Sequence, residues 1–177
     1  MNEINFTPFP TLMTERLILR QITIEDLNEF FILKSDERLL KNYYAKAKTY
    51  EEARQFLHSI NDGIDKNEWI LWGITAKNEN KLIGSICFWN ISKEQSKAEI
   101  GYEMMFDWHG KGIMAEAVKA VIEYGFESMN LDSIEALPYL NNVKSIKLLE
   151  RNNFIRGTSF KENDSSEEMV IYEYRKC

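Results

Sequence analysis

The chain has 177 residues, of which 44% are hydrophobic and 28% are charged, a balance typical of one globular domain with a sizeable core. Its net charge is −6, and no run of lysines and arginines is interleaved with aromatic residues, which argues against a nucleic-acid partner. An acidic surface weakly favours a cationic partner such as an amine.

The N-terminal segment does not fit a secretory signal, because residues 1–13 contain no lysine or arginine and are interrupted by Pro8 and Pro10. No stretch approaches the roughly 20 apolar residues that cross a bilayer. Cys87 and Cys177 lie far apart and away from both histidines, so we expect neither a metal site nor a disulfide framework. The sequence therefore predicts a cytoplasmic protein with no membrane contact.

The first third of the chain predicts a strand followed by two helices. Apolar and polar residues alternate over 16–22, which indicates a strand. Thr23 is a helix start, and this helix runs towards Ser35. Thr49 and Glu52 have the spacing of a capping box, which predicts a second helix to about residue 62.

Three strands are predicted next, over 68–75, 81–91 and 98–106, with turn-prone residues between them. We expect them to form an antiparallel meander. The strand at 81–91 is apolar on both faces, which favours a central position in the sheet.

The rest of the chain begins with the strongest amphipathic pattern, which predicts a helix over 113–129. A short strand, a further helix and two closing strands follow, at 133–137, 142–152, 155–160 and 169–175. Residues 161–168 are polar and acidic and are typical of a solvated hairpin loop. The predicted order is βααβββαβαββ, which indicates a single mixed α/β (α+β) domain over residues 1–177.

The segment from Ala98 to Ala117 combines a strand, a glycine-containing loop and the long helix. The first N–H groups of a helix have no partner inside it, and its macrodipole places partial positive charge there. Gly110 and Gly112 let the backbone approach phosphate oxygens and Lys111 adds a cation, so the loop is a candidate diphosphate site. A tight turn with two unrelated glycines explains the same pattern. The loop is neither a Walker A motif nor a complete Rossmann fingerprint.

Four segments together resemble one protein family. Glu99–Tyr102, Gly110–Ala117 and Asn142–Phe154 look like successive motifs of the GCN5-related N-acetyltransferase (GNAT) superfamily. Thr14–Arg20 resembles the opening of its branch that acetylates ribosomal-protein N-termini (RimJ/RimL), and the resemblance covers about residues 14–175. It implies a central, mixed, mostly antiparallel, strongly twisted sheet flanked by helices.

The resemblance implies acetyl-CoA as cosubstrate, and the reaction that it implies needs no metal. In the family, backbone N–H groups of the loop that matches His109–Met114 bind the diphosphate; this chain departs with His109 for an Arg or Gln and Met114 for a small residue. Asn142 matches an asparagine that contacts the pantetheine, although a plain helix N-cap explains it equally well. The implied cofactor-binding residues are Met104, Met105, Phe106, His109, Gly110, Lys111, Gly112, Ile113, Met114, Ala115 and Asn142.

Two residues are candidates for proton transfer. Many relatives use a tyrosine as acid, but Leu149 stands at that position here, and Ser145 matches a serine proposed for the role in the ribosomal branch. A small residue packed near the cofactor is the alternative for Ser145. Glu103 shares a strand face with Glu99 and is a candidate base, although an exposed or paired surface charge is the commoner role for such a carboxylate.

The predicted reaction is direct attack of a primary amine on the thioester through a tetrahedral intermediate, with a protein N-terminal α-amine as the leading acceptor. An α-amine has a pKa near 8 and a lysine near 10.4, so the α-amine loses its proton more easily. A small-molecule amine and a non-catalytic CoA-binding module are the alternatives. Trp69, Trp72 and Tyr43 either line the acceptor pocket or belong to the core. The sequence leaves the oligomeric state open, with a homodimer among the options.

Overall fold

The computed structural model describes residues 4–43, 45–161 and 166–176. Its strands are β1 (Leu12–Met13), β2 (Leu17–Arg20), β3 (Ile70–Ala76), β4 (Leu82–Ser92), β5 (Lys97–Met104), β6 (Ser133–Ala136), β7 (Ile155–Lys161) and β8 (Glu168–Arg175). Its α-helices are α1 (Leu27–Ser35), α2 (Glu37–Leu40), α3 (Tyr50–Asp65), α4 (Ile113–Glu127) and α5 (Val143–Arg151). Short 3-10 turns cover Ile24–Asp26 and Phe106–Trp108.

The predicted order of elements is confirmed, with two short additions. β1 has two residues and α2 has four, and neither is long enough to show a period in the sequence. Thr23 and Thr49 both form the reciprocal hydrogen bonds of a capping box, with Asp26 and Glu52 respectively. The predicted loop at 161–168 lies partly outside the described residues.

All eight described strands form one sheet in the order β1-β2-β3-β4-β5-β6-β8-β7. β3, β4 and β5 are the predicted antiparallel meander, and β4 lies in the interior of the sheet as its two apolar faces indicated. β5 and β6 are the one parallel pair among these strands, because α4 connects them as a crossover.

Helices cover both faces of the sheet. A Cβ placed on Gly125 of α4 would meet the Phe88 ring at 3.1 Å, so α4 packs on the face of β4 that carries Phe88. On the opposite face, Lys34 of α1 pairs with Glu103 of β5. Trp72 is fully buried and contacts both Phe88 and α4, which makes it core rather than pocket. Within the described part of the chain, no helix has both the length and the apolar content to span a bilayer.

Candidate active site

A cleft opens where β5 and β6 separate. The two strands pair only at Lys97, Ala98 and Glu99, so β5 continues to Met104 with none of the described strands on that side. The resulting cleft has a volume of about 510 Å³. It is lined from β5, from the start of α4 and from α5 by Asn42, Tyr43, Tyr102, Glu103, Met104, Trp108, His109, Gly110, Gly112, Ile113, Met114, Ala115, Asn142, Lys144, Ser145, Lys147, Leu148 and Arg151.

The loop before α4 has the backbone conformation that its two glycines predicted. Gly110 has φ +75° and Gly112 has φ +72°, both in the left-handed region that residues with side chains rarely adopt. Gly112 is the N-cap of α4 and has no side chain to cap the helix, so the first N–H groups of α4 lack a side-chain acceptor from this position. The loop therefore presents backbone donors to the cleft at the positive end of a long helix.

The cleft brings together most of the predicted site residues. Eight of the eleven predicted cofactor-binding residues line it: Asn142, which caps α5, and on the loop side Met104, His109, Gly110, Gly112, Ile113, Met114 and Ala115. Met105, Phe106 and Lys111 are not among the lining residues. The Met105 N–H donates to the Ile83 carbonyl at 2.9 Å, and Phe106 begins a 3-10 turn instead of extending β5. The Lys111 ammonium lies 5.0 Å from the Trp108 ring centroid.

Two side chains bond to backbone carbonyls of β5 inside the cleft. The Tyr43 hydroxyl donates to the Tyr102 carbonyl at 2.7 Å, and His109 Nε2 donates to the Met104 carbonyl at 2.8 Å. Tyr43 therefore lines the cleft and is not part of the buried core. His109 joins the loop to the end of β5, which gives its side chain a structural contact although it replaces the usual Arg or Gln.

Glu103 is the one carboxylate among the cleft-lining residues, and it is held by a partly buried ion pair. Its side chain is 11% exposed and pairs with Lys34, whose side chain is 15% exposed. The Ser85 hydroxyl donates to the same oxygen, Oε1, at 3.1 Å. The Lys34 ammonium also lies 5.4 Å from the Phe30 ring centroid. Lys34 was not predicted as a site residue, because its helix and β5 are far apart in the sequence.

Ser145 lies beside a phenol that the sequence did not single out. Ser145 Oγ and the Tyr102 hydroxyl are 2.8 Å apart, and both residues line the cleft. Burial raises the pKa of the Tyr102 phenol to about 12, and the hydrogen bond with Ser145 offsets part of this rise. Leu149, at the position where many relatives have a tyrosine, is fully buried. Strand alternation places Tyr102 on the other face of β5 from Glu103, the candidate base. The sequence therefore gave no reason to group Tyr102 with Ser145 in the site.

α5 and its N-cap bring further polar groups to the cleft. Asn142 caps the helix by accepting from the Ser145 N–H at 3.2 Å, so its predicted N-cap role is confirmed. Lys144, Lys147 and Arg151 are exposed and line the cleft, and none of them forms an ion pair within the described residues. This unpaired positive charge is local, since the whole chain carries −6.

Comparison with known proteins agrees with the family resemblance of the sequence motifs. A family model described as "Acetyltransferase (GNAT) domain" matches residues 16–155. The N-acetyltransferase p20 of Bacillus licheniformis is 34% identical over 93% of both chains. The [Ribosomal protein uS5]-alanine N-acetyltransferase of Escherichia coli is 27% identical over 83% of this chain and 79% of its own.

Solved structures share the fold. An acetyltransferase (GNAT family) from Bacillus anthracis has a TM-score of 0.83 at 25% identity, covering 94% of this chain and 98% of its own. RimL, a ribosomal L7/L12 α-N-protein acetyltransferase solved with coenzyme A, has a TM-score of 0.83 at 18% identity, covering the same shares. The chain therefore belongs to the GCN5-related N-acetyltransferase family and is an N-acetyltransferase.

Proposed function

We propose that the protein transfers an acetyl group from acetyl-CoA to the N-terminal α-amine of a protein, by direct attack of the amine on the thioester. The observation that carries the proposal is the convergence of three groups on one cleft: the loop donors at Gly110–Ala115, the carboxylate of Glu103 and the hydroxyl pair of Ser145 and Tyr102. The uS5 enzyme of Escherichia coli, which acts on a ribosomal-protein alanine, supports this acceptor class.

The cleft fits coenzyme A on two counts. Left-handed glycines leave backbone N–H groups at the N-terminus of α4 for a diphosphate. The parting of β5 and β6 leaves room beside an unpaired strand edge, where an extended pantetheine arm can lie. A thioester at the end of β5 would lie in the cleft that both Glu103 and Ser145 line.

Glu103 is the one carboxylate among the cleft-lining residues and can accept a proton from the attacking amine. Both of its described hydrogen bonds engage Oε1, so Oε2 remains for the amine or for a bridging water. Lys34 beside it disfavours a second cation in the same place. The site therefore suits an acceptor that becomes neutral easily, and an α-amine with a pKa near 8 does so far more readily than a lysine near 10.4.

Ser145 and Tyr102 act on the departing sulfur. As the tetrahedral intermediate collapses, the carbon–sulfur bond breaks and the thiolate needs a hydrogen-bond donor and finally a proton. Tyr102 stays protonated throughout the neutral range because its pKa is raised to about 12. In this proposal it orients the Ser145 hydroxyl, which donates a hydrogen bond to the sulfur. The thiolate then takes its proton from solvent, and this balances the proton that the amine gives to Glu103.

Thiol release from acetyl-CoA tests the proposal, measured with a panel of acceptors. The panel contains peptides with a free N-terminal alanine or serine. Each is matched by the same peptide blocked at the α-amine but carrying a lysine. Amino acids and polyamines complete the panel. We expect thiol release with the free α-amine peptides alone, and mass spectrometry should place the acetyl group on the first residue. Turnover with the small amines only would replace the proposed acceptor, and tight acetyl-CoA binding without any acceptor-dependent thiol would indicate a binding module.

A further inference from the structure

The Thr14–Arg20 motif makes contacts that its strand position does not explain. Glu116, in the first turn of α4, accepts three hydrogen bonds from this segment. They come from Thr14 Oγ1 at 2.6 Å, from the Arg16 backbone N–H at 2.8 Å and from Arg16 Nε at 2.6 Å. We call Thr14, Arg16 and Glu116 the N-terminal clamp.

The N-terminal clamp reaches the diphosphate loop itself. Arg16 Nη1 donates to the Lys111 carbonyl at 3.0 Å, between the two left-handed glycines. A Cβ placed on Gly112 would lie 3.5 Å from Arg16 Nη2, so the guanidinium lies directly against the loop. One side chain thus joins the carboxylate of α4 to the backbone of the loop through separate nitrogens, a geometry that arginine allows and lysine does not.

The charges of the N-terminal clamp favour a positioning role over direct phosphate binding. Glu116 places a negative charge one turn from the helix end where a diphosphate would bind, and Arg16 neutralises it. Although burial of the Glu116 carboxyl opposes its ionisation, the bonds from Thr14 and Arg16 lower its pKa, so it is ionised at neutral pH. The Arg16 cation is already committed to this carboxylate and adds little net attraction for an anion.

We propose that the N-terminal clamp is a positioning device for coenzyme A binding: Arg16, oriented by Glu116 and Thr14, holds the Lys111 carbonyl so that the loop keeps its N–H groups turned to the cleft. The inference rests on the proposed function of the loop. It assigns a role to the Thr14–Arg20 motif, which lies outside the cleft and precedes the loop by some 95 residues.

Two substitutions separate positioning from charge. Glu116→Gln removes the carboxylate and frees the Arg16 cation beside the loop, so a direct phosphate contact by Arg16 would tighten acetyl-CoA binding. A positioning role gives the opposite sign, and we expect the dissociation constant to rise about five- to twenty-fold. Arg16→Lys keeps the charge but loses the two-pronged geometry, so it should weaken binding to a similar degree. The double variant should be little worse than either single variant, because both break the same unit.

Arg54 and Glu51 provide the matched control, since they form an exposed ion pair on α3 far along the chain from the loop. Arg54→Lys and Glu51→Gln should leave the dissociation constant unchanged. Calorimetry gives the affinities, and thermal unfolding without ligand checks that each variant is folded.

Amide hydrogen exchange of residues 110–113 in the ligand-free protein gives a readout independent of binding. We expect it to accelerate in Glu116→Gln and Arg16→Lys and not in the controls. Tighter or unchanged binding in Glu116→Gln, or unchanged exchange in the loop, would overturn the inference. If the wild-type protein failed to bind acetyl-CoA, the proposed function would fall, while the exchange comparison would still decide whether the N-terminal clamp orders the loop.

Discussion

The two edges of β5 differ sharply. Towards β4, the strand is paired at six consecutive residues from Glu99 to Met104, and Met105 adds one more bond to Ile83. Towards β6, pairing stops at Glu99, and the carbonyls of Tyr102 and Met104 bond to side chains instead. The same strand is therefore structural on one edge and open to a ligand on the other.

This difference separates the residues that hold the fold from those that shape the site. On the closed edge, substitutions should change the free energy of unfolding and spare the affinity of the folded protein for acetyl-CoA. On the open edge, they should change affinity or turnover and have smaller effects on stability. A substitution that affected both properties equally would break the comparison.

The closed edge should give the largest effect, at Gly84 of β4. A Cβ at this position would lie 2.6 Å from the Glu103 carbonyl oxygen, which is backbone and cannot move aside cheaply. Gly84→Ala should therefore lower the free energy of unfolding by about 3 kcal/mol, the upper end for overpacking. Urea denaturation measures this loss, and an unchanged midpoint would show that β4 and β5 are not held so closely.

Gly112→Val tests the loop beside the open edge. A β-branched residue is a severe outlier at φ +72°, so the loop should leave its left-handed conformation and turn donors away from the cleft. We expect the dissociation constant for acetyl-CoA to rise about thirty-fold, roughly 2 kcal/mol. Gly112→Ala is the milder companion, because its Cβ has room 3.5 Å from Arg16. Unchanged affinity in both variants would remove the diphosphate from this loop.

Ser145→Ala and Tyr102→Phe test the chemistry of the open edge. Each should lower kcat about tenfold with little change in acetyl-CoA affinity, because the hydroxyls act on the departing sulfur. The two hydroxyls are 2.8 Å apart, so the double variant should lose no more than the worse single one. Because the pKa of Tyr102 is raised to about 12, its phenol does not titrate between pH 6 and 9. Tyr102→Phe should therefore leave the pH dependence of the rate unchanged over this range. Full activity in Ser145→Ala would remove it from the mechanism.

The sequence was sufficient for every element with a clear period or cap. Thr49 and Glu52 predicted a helix start to the residue, and the apolar faces of residues 81–91 predicted an interior strand. The loop glycines were equally informative, since positive φ is a property of the residue type. These signals are local, because each depends on a residue and its near neighbours in the chain.

The contacts of the site were harder to predict, because they join distant segments. Lys34 and Glu103 are 69 residues apart, and Arg16 and Glu116 are 100 apart. Nothing in either partner's neighbourhood indicates the other. The end of β5 was also predicted two residues too late, at Phe106: the apolar pattern continues past Met104, but the strand ends at Met104 and a 3-10 turn begins at Phe106.

Lys147 and Arg151 of α5 should give the smallest effect. A chain of net charge −6 repels a ligand with several phosphates. These exposed cations on the cleft wall, which form no ion pair in the part of the chain that the structure describes, offset that repulsion. Because solvent screens them, Lys147→Gln and Arg151→Gln should each weaken acetyl-CoA binding only about threefold at low salt, and the loss should shrink at high salt. Lys119→Gln, on α4 outside the cleft, is the charge-matched control. Repeating the titrations with 3′-dephospho-CoA assigns the contact: a loss that disappears places both cations at the 3′-phosphate, whereas a loss that persists places them at the diphosphate. Equal losses of affinity in the Lys119→Gln control would mean that only the overall charge of the chain matters. The affinity of the cleft beside the open edge of β5 for acetyl-CoA would then come from the loop alone.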